Sequence, residues 1–306
     1  MKIFRLAESA AAVLLSIAVT AQFVATGQSA VQAATALSAT TAVVQTGVPV
    51  KMAVLMYHSV NSNDKRSGEY VITPAALRCD LAYLQSQGYQ TITMTELIDF
   101  VHNGVPLPHK PVMLTFDDGY YNNYLHAFPL LREYHAKAVI SIIGAETDKF
   151  SQLEENNQNY SHLTWTQITE MQQSGLVEFQ NHSYNLHKTL QSGRQGTMRK
   201  KGEPTEQYQK MLTEDLQKLQ ERYTEMTGWT PNTFAYPFGR ISKESYPVVT
   251  KLGFAASLDV QGRPYIATPG QESCLFRIPR YNRTSHTSAK EILQMAMTDG
   301  KKGGGG

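Results

Sequence analysis

The 306-residue sequence predicts an α/β fold: a parallel sheet with helices packed outside it. Two observations carry this. Short apolar runs alternate with segments of helical spacing from Val54 to Met297, and no internal repeat is visible. The segments richest in reactive side chains all stand where an apolar run stops, the end of the strands at which α/β folds collect their chemistry. Alternation alone does not separate a closed barrel from an open doubly wound sheet.

Val54–Tyr57 is the first expected strand. Thr73 then caps a helix that has Pro74 at its first position, runs to about Gln87 and stops at Gly88. A short strand, Thr91–Thr93, and a short helix, Thr95–His102, follow. Val112–Phe116 is apolar or β-branched throughout and reads as a buried strand. A helix is expected over Tyr121–Tyr134, with Pro129 as a possible kink, then an apolar strand over Ala138–Ile143. Gly144–His162 is polar and long for a connection. Thr164-Trp165-Thr166-Gln167 fits a capping box opening a helix to about Ser174. Val177–Gln180 is the next strand, and Gln191–Pro204, rich in Gly, Lys and Arg, reads as an exposed loop. Thr205–Met226 sets Tyr208, Leu212, Leu216, Leu219 and Tyr223 on one helical face. Thr233–Tyr236, Phe254–Leu258 and Leu275–Ile278 complete the strands, Ser242–Leu252 and Ser288–Met297 the helices. The two long loops are expected to border the mouth of the fold.

Three segments carry the chemistry. Leu114-Thr115-Phe116-Asp117-Asp118-Gly119-Tyr120 ends a buried strand in adjacent carboxylates, which repel unless a cation or a shared proton stands between them. Taken alone it is as well read as a strand leaving through an Asp-Gly turn. Val177-Glu178-Phe179-Gln180-Asn181 runs into His182-Ser183-Tyr184-Asn185-Leu186-His187, and two imidazoles five apart in such a loop can converge on one point. One carboxylate with two histidines leaves positions open on a metal ion, as catalytic sites need. Phe234-Ala235-Tyr236-Pro237-Phe238-Gly239 is a third strand exit, stopped by Pro and Gly.

Together, and in this order, these segments resemble the polysaccharide deacetylases of carbohydrate esterase family four, the NodB-homology domain. The resemblance runs from about Met52 to Arg283. With Val54-Leu55-Met56-Tyr57-His58 and the six-residue histidine span, it is nearest the branch that deacetylates poly-β-1,6-N-acetylglucosamine. It implies a distorted (β/α) barrel of about seven strands. It further implies one divalent metal ion, zinc or a similar first-row metal, on Asp118, His182 and His187, with Asp117 as general base. The backbone N–H of Phe238 would face the developing oxyanion; Tyr236, Pro237 and, at the mouth, His58 complete the substrate-side set. The sequence departs from the common pattern in three places. Ala235 stands where an arginine usually orients the base, and Arg277, Arg280 or Arg283 are the candidates to replace it, Arg280 being favoured. No Asp-containing fourth motif is clear near Asp259, and His286 lacks the context of the usual late histidine.

Composition narrows the partners. Charges nearly balance, 28 basic against 26 acidic, without a basic block, so no nucleic-acid partner is indicated. The expected partner is an N-acetylglucosamine-containing polysaccharide, acted on by a monomer. Lys2 and Arg5 precede an apolar run, Ala10 to Val24, and Val31-Gln32-Ala33 offers a cleavage site, so residues 1–33 read as a signal peptide of a secreted or cell-surface protein. An uncleaved anchor is the alternative. Residues 34–50 read as a flexible leader, 51–298 as the catalytic domain and 299–306 as a disordered tail. Cys79 and Cys274 are expected to stay unpaired. The leading reading is a metal-dependent N-deacetylase; peptidoglycan, chitin or xylan are alternative substrates, and a carbohydrate-binding protein with weak turnover is the competing class.

Overall fold

The computed structural model describes residues 47–298. The expected signal peptide, most of the leader and the tail lie outside these residues. In chain order the elements are β1 Val50–Tyr57, β2 Ser59–Val60, β3 Val71–Ile72, α1 Pro74–Ser86, β4 Gln90–Ile92, α2 Met94–Asn103, β5 Pro111–Phe116 and α3 Phe128–Glu133. Then come β6 Ala138–Ile142, α4 Gly144–Leu153, α5 Trp165–Gln173, β7 Val177–Asn181, α6 Thr205–Thr227, β8 Thr233–Ala235 and α7 Tyr246–Lys251. β9 Ala256–Leu258, β10 Tyr265–Ala267, β11 Tyr281–Asn282 and α8 Ala289–Met297 complete the set.

The strands β1, β5, β6, β7, β8 and β9 pair in that order, all parallel. β11 adds a seventh parallel strand beside β1. A single bridge, Leu258 to Ile278, joins β9 to the segment leading into β11, so the sheet curls back towards its first strand. This is the distorted barrel of about seven strands. Short β4 lies beside the start of β5, and β10 pairs antiparallel with the start of β1.

Strand parity decides what faces inward. Ala53, Leu55 and Tyr57 of β1, Val112, Leu114 and Phe116 of β5, and Val177 and Phe179 of β7 pack outward with α1, α3, α5 and α8. The intervening residues Met52, Val54, Met113, Val139, Ala235, Ala256 and Leu258 form the interior, with Met94, Leu97, Phe100 and Val101 of α2 packed among them. Both faces are buried, which is why β5 reads as an unbroken apolar run. Carried one step past each strand, the same alternation aims His58, Asp117 and His182 into the barrel mouth.

Local chemistry accounts for most boundaries. Thr73 caps α1 ahead of Pro74, and Thr93/Glu96, Thr164/Gln167 and Ser288/Glu291 form capping boxes on α2, α5 and α8. Four expectations are corrected. Gly144–His162 is not loop throughout, since α4 occupies its first half. The expected helix over Tyr121–Tyr134 opens with a π turn at Asn123–Ala127, and Pro129 sits in the first turn of α3. Ser242–Leu252 is a 3₁₀ turn and the short α7, with Pro247 opening the helix. Leu275–Ile278 is no strand: Leu275 ends a 3₁₀ turn and Arg277 has φ 60°. The thiols of Cys79 and Cys274 are free.

Candidate metal centre and active site

Asp118 leaves β5 with φ 72°, and Gly119 follows with φ 67°. This paired left-handed turn swings the Asp118 carboxylate across the mouth towards β7. Gly119 is required there: a Cβ on it would lie 2.7 Å from Ile142 Cγ2. Three hydrogen bonds hold the turn from behind. Tyr121 N–H donates to the Ser161 carbonyl, Leu163 N–H to that of Gly119, and buried His162 donates from Nδ1 to the Asp118 carbonyl at 2.9 Å. The segment Gly144–His162 therefore braces Asp118 and does not line the cleft.

His182 and His187 reach the same point from the loop after β7. Asp118 Oδ1 is 3.5 Å from His182 Nε2 and 3.2 Å from His187 Nε2. His182 donates Nδ1–H to the Ala235 carbonyl at 2.8 Å, which fixes its tautomer and leaves Nε2 pointing at Asp118. The amides from His182 to Leu186 are each engaged: His182 N–H on the Ile142 carbonyl, Ser183 on Asn181 Oδ1, Tyr184 and Asn185 on the two oxygens of Asp215, and Leu186 on Ser183 Oγ.

Asp117, one residue earlier, faces Arg280. The guanidinium makes two 2.7 Å bonds to the two carboxylate oxygens, a bidentate pair with both partners essentially sealed from solvent. Arg280 also donates to the Asp259 carbonyl and to Thr115 Oγ1. The three arginines considered from sequence thus take three different carboxylates: Arg280 holds Asp117, Arg277 holds Asp259 and Arg283 holds Asp80. Asp259 carries Arg280 through its main chain, a role no side-chain motif could announce.

The cleft over these groups has a volume of about 550 Å³. His58, Tyr70, Tyr120, Gln195, Phe238 and Arg240 are among the side chains that wall it. His58 Nδ1 is buried without a hydrogen-bond partner, and its ring meets Tyr70 edge-on. Phe238 has φ 57° and its ring packs 4.2 Å from that of His187. Tyr236 and Pro237 are buried and do not line the cleft; Tyr236 OH is spent on Ser245 Oγ, so they build the turn that presents Phe238. His286 is exposed and has no part in the site. A groove of about 650 Å³ at the opposite end, by Tyr89 and Tyr134, gathers no comparable set of reactive groups.

Burial by itself would raise the carboxyls of Asp117 and Asp118. Arg280 and His182 hold Asp117 below the usual range, and His182 and His187 hold Asp118 well below it. Burial pushes His187 down to about 4. At His182 burial also opposes the charge, but Asp117 and Asp118 outweigh it and the pKa rises. Asp118 Oδ1 accepts no regular hydrogen bond, although it is buried. Asp118, His182 and His187 offer three ligand atoms within 4.8 Å of one another, the single such group among the described residues. A neutral imidazole, a second imidazole locked with Nε2 forward and an unsatisfied carboxylate oxygen fit a divalent cation.

The polysaccharide deacetylase family matches residues 104–257, half of the sequence. The chain belongs to that family. Poly-β-1,6-N-acetyl-D-glucosamine N-deacetylase of Escherichia coli K12 is 26% identical over 263 residues, covering 80% of this chain and 38% of that protein. The enzyme of the same name from Staphylococcus aureus N315 is 26% identical over 219 residues, 72% of this chain and 70% of its own. The match therefore spans well under half the length of the E. coli relative. Among solved structures, a de-N-acetylase from Aggregatibacter actinomycetemcomitans superposes with a TM-score of 0.69 at 25% identity, over 80% of this chain and all of the other. IcaB from Ammonifex degensii gives 0.67 at 25%, over 81% and 97%.

Proposed function

We propose that this deacetylase removes N-acetyl groups from a polymer of N-acetylglucosamine, releasing acetate, with one divalent metal ion on Asp118, His182 and His187. The observation that carries the reading is the division of labour between adjacent carboxylates. Asp118 meets two histidines, whereas Asp117 is turned away onto Arg280. A site built only to bind sugar has no use for a second, separately oriented carboxylate beside the first. The Asp117–Arg280 pair supports the enzyme over the carbohydrate-binding reading, because Asp117 has an orienting arginine although Ala235 stands at the usual position.

An amide is a poor electrophile with a poor leaving group. A bound zinc or similar first-row ion supplies polarisation of the acetyl carbonyl and a water of lowered pKa. The chain's own groups do the rest. Asp117, kept ionised by Arg280, takes the proton of the attacking water and returns it to the departing amine. The Phe238 N–H, presented by the positive-φ turn, donates to the oxygen on which negative charge develops. Tyr70 and His58 form the facing wall.

The substrate proposed is poly-β-1,6-N-acetylglucosamine, supported by the substrate named for the relatives from E. coli and S. aureus. The experiment is acetate release from β-1,6-linked N-acetylglucosamine oligomers, before and after chelation and with metal restored. Asp117→Asn should keep the metal and lose about 10²–10⁴-fold in turnover; Asp118→Asn should lose the metal as well. Full activity in a verified metal-free preparation, or equal metal loss in both variants, would overturn the assignment. We further propose that the protein acts outside the cytoplasm, after cleavage near Ala33. N-terminal sequencing of exported protein should begin near Ala34; an intact Met1 in the membrane fraction would point to an anchor instead.

A further inference from the structure

The loop between the two histidines is held by a residue that belongs to none of the three motifs. Asp215, on the first half of α6, accepts Tyr184 N–H at 2.8 Å on Oδ1 and Asn185 N–H at 2.9 Å on Oδ2. These are the two central amides of the six-residue span. We propose that Asp215 is a positioning residue for the metal centre: by gripping both amides it fixes the separation of His182 and His187. This rests on the metal reading above.

The geometry favours that role over a general packing one. The side chain of Tyr184 is anchored independently, its hydroxyl on Asp148 and its ring under Lys218 Nζ at 3.8 Å. His182 is separately fixed by the Ala235 and Ile142 carbonyls. The Ser183 and Tyr184 carbonyls accept Gly144 and Ala145 N–H, and Asp215 supplies the acceptors for the two amides midway between the ligands. Burial pushes the Asp215 carboxyl up to about 6, against the partial relief given by the two amides, Lys188 and Lys218. A carboxyl whose pKa rises on folding costs stability that builds up as pH climbs from the ordinary value of 3.8 and is complete above about 6.

The test is Asp215→Asn, read by zinc affinity against a chromophoric chelator, without substrate. The amide oxygen can accept one N–H, but its NH₂ meets the other donor to donor. Zinc affinity should fall about 10–100-fold, as for lost partners of metal ligands generally. The thermal midpoint of the metal-free variant should hold or rise, and amide exchange should quicken at Tyr184 and Asn185. Unchanged affinity, or an affinity loss matched by a fall in the metal-free midpoint, would overturn the proposal. A second measurement needs no variant: in the metal-free wild type, Tyr184 and Asn185 amides should exchange as slowly as those of β7, and fast exchange there would also overturn it. A wild-type chain that binds no zinc would sink the metal reading itself, and this inference with it. Wild-type binding with an unaffected variant would sink this inference alone.

Discussion

Arg280 shows how much of the site one side chain controls. It is fully buried, and its charge is balanced by Asp117 in fork-to-fork geometry. Replacing it by Met leaves a buried carboxylate without its counter-ion, a class of change that costs about 3–5 kcal/mol. The pH consequence has a definite sign. Asp117 lies below its ordinary pKa in the fold, so its pairing contributes stability above the unfolded value, and that contribution is lost as pH falls through the folded one. Without Arg280 the Asp117 pKa rises, so the acid limb of the pH–rate profile should move to higher pH in Arg280→Met. Arg280→Lys keeps the charge but not the fork and should fall between. Urea titration at neutral pH and a pH–rate profile check both; an unmoved acid limb would separate Arg280 from the base. In the sequence the three side chains that converge as candidate metal ligands were legible because each motif carries its chemistry in nearby residues. Arg280 could be narrowed to three arginines and no further, because its partner lies 163 positions away. The supporting roles of Asp215, Asp259 and His162 were not legible: Asp215 and His162 bond main-chain atoms of other segments and Asp259 acts through its own carbonyl, and nothing in a one-dimensional pattern reports that.

Elements with a local cap or a clear apolar pattern were legible, α6 by its buried stripe alone, and those with neither were not. α1, α2, α5 and α8 carry caps that can be read from a four-residue window. α4 has no side-chain cap and buries little beyond Gly144, Thr147 and Phe150, so its polar sequence resembles a loop. The segment after Leu275 looks like a strand but is bent by Arg277 at positive φ; only Ile278 reaches β9 before pairing resumes with β1 at Tyr281. The turn between β5 and the π turn is the element on which the candidate metal site hangs, and Gly119 is its tightest point. Gly119→Ala would put a Cβ 2.7 Å from Ile142 Cγ2 in a left-handed conformation. Backbone strain and overpacking together predict a loss of roughly 2–4 kcal/mol. The displaced turn carries Asp118, so metal affinity should fall with Tm. A variant that keeps both would show that the turn has more room than this packing allows.

For the whole molecule, the barrel gathers the ends of β1, β5, β7 and β8 at one mouth, and the connections around that mouth decide what can enter. Of the two long segments expected to border it, Gln191–Pro204 does so through Gln195, whereas Gly144–His162 braces Asp118 from behind. Gly196 packs against the Pro237 carbonyl and Thr197 Oγ1 bonds the Arg240 carbonyl, so this wall is fixed to the third motif. Tyr70 and Phe238 leave about half and a third of their surfaces exposed at the cleft, two aromatic faces against which sugar rings can lie. An open mouth with aromatic walls suits an internal sugar of a long chain better than a free monosaccharide. Contacts made by flanking sugars can hold the reacting amide in place, so part of their binding energy appears as rate. Acetate release per enzyme should therefore rise with the length of β-1,6-linked N-acetylglucosamine oligomers and remain low on the monomer. Tyr70→Ala should flatten that length dependence more than it slows the shortest substrate. A steeper rise on β-1,4-linked oligomers would move the substrate to chitin or peptidoglycan. Equal rates on monomer and hexamer would mean that the walls of the cleft make no productive contact with neighbouring sugars.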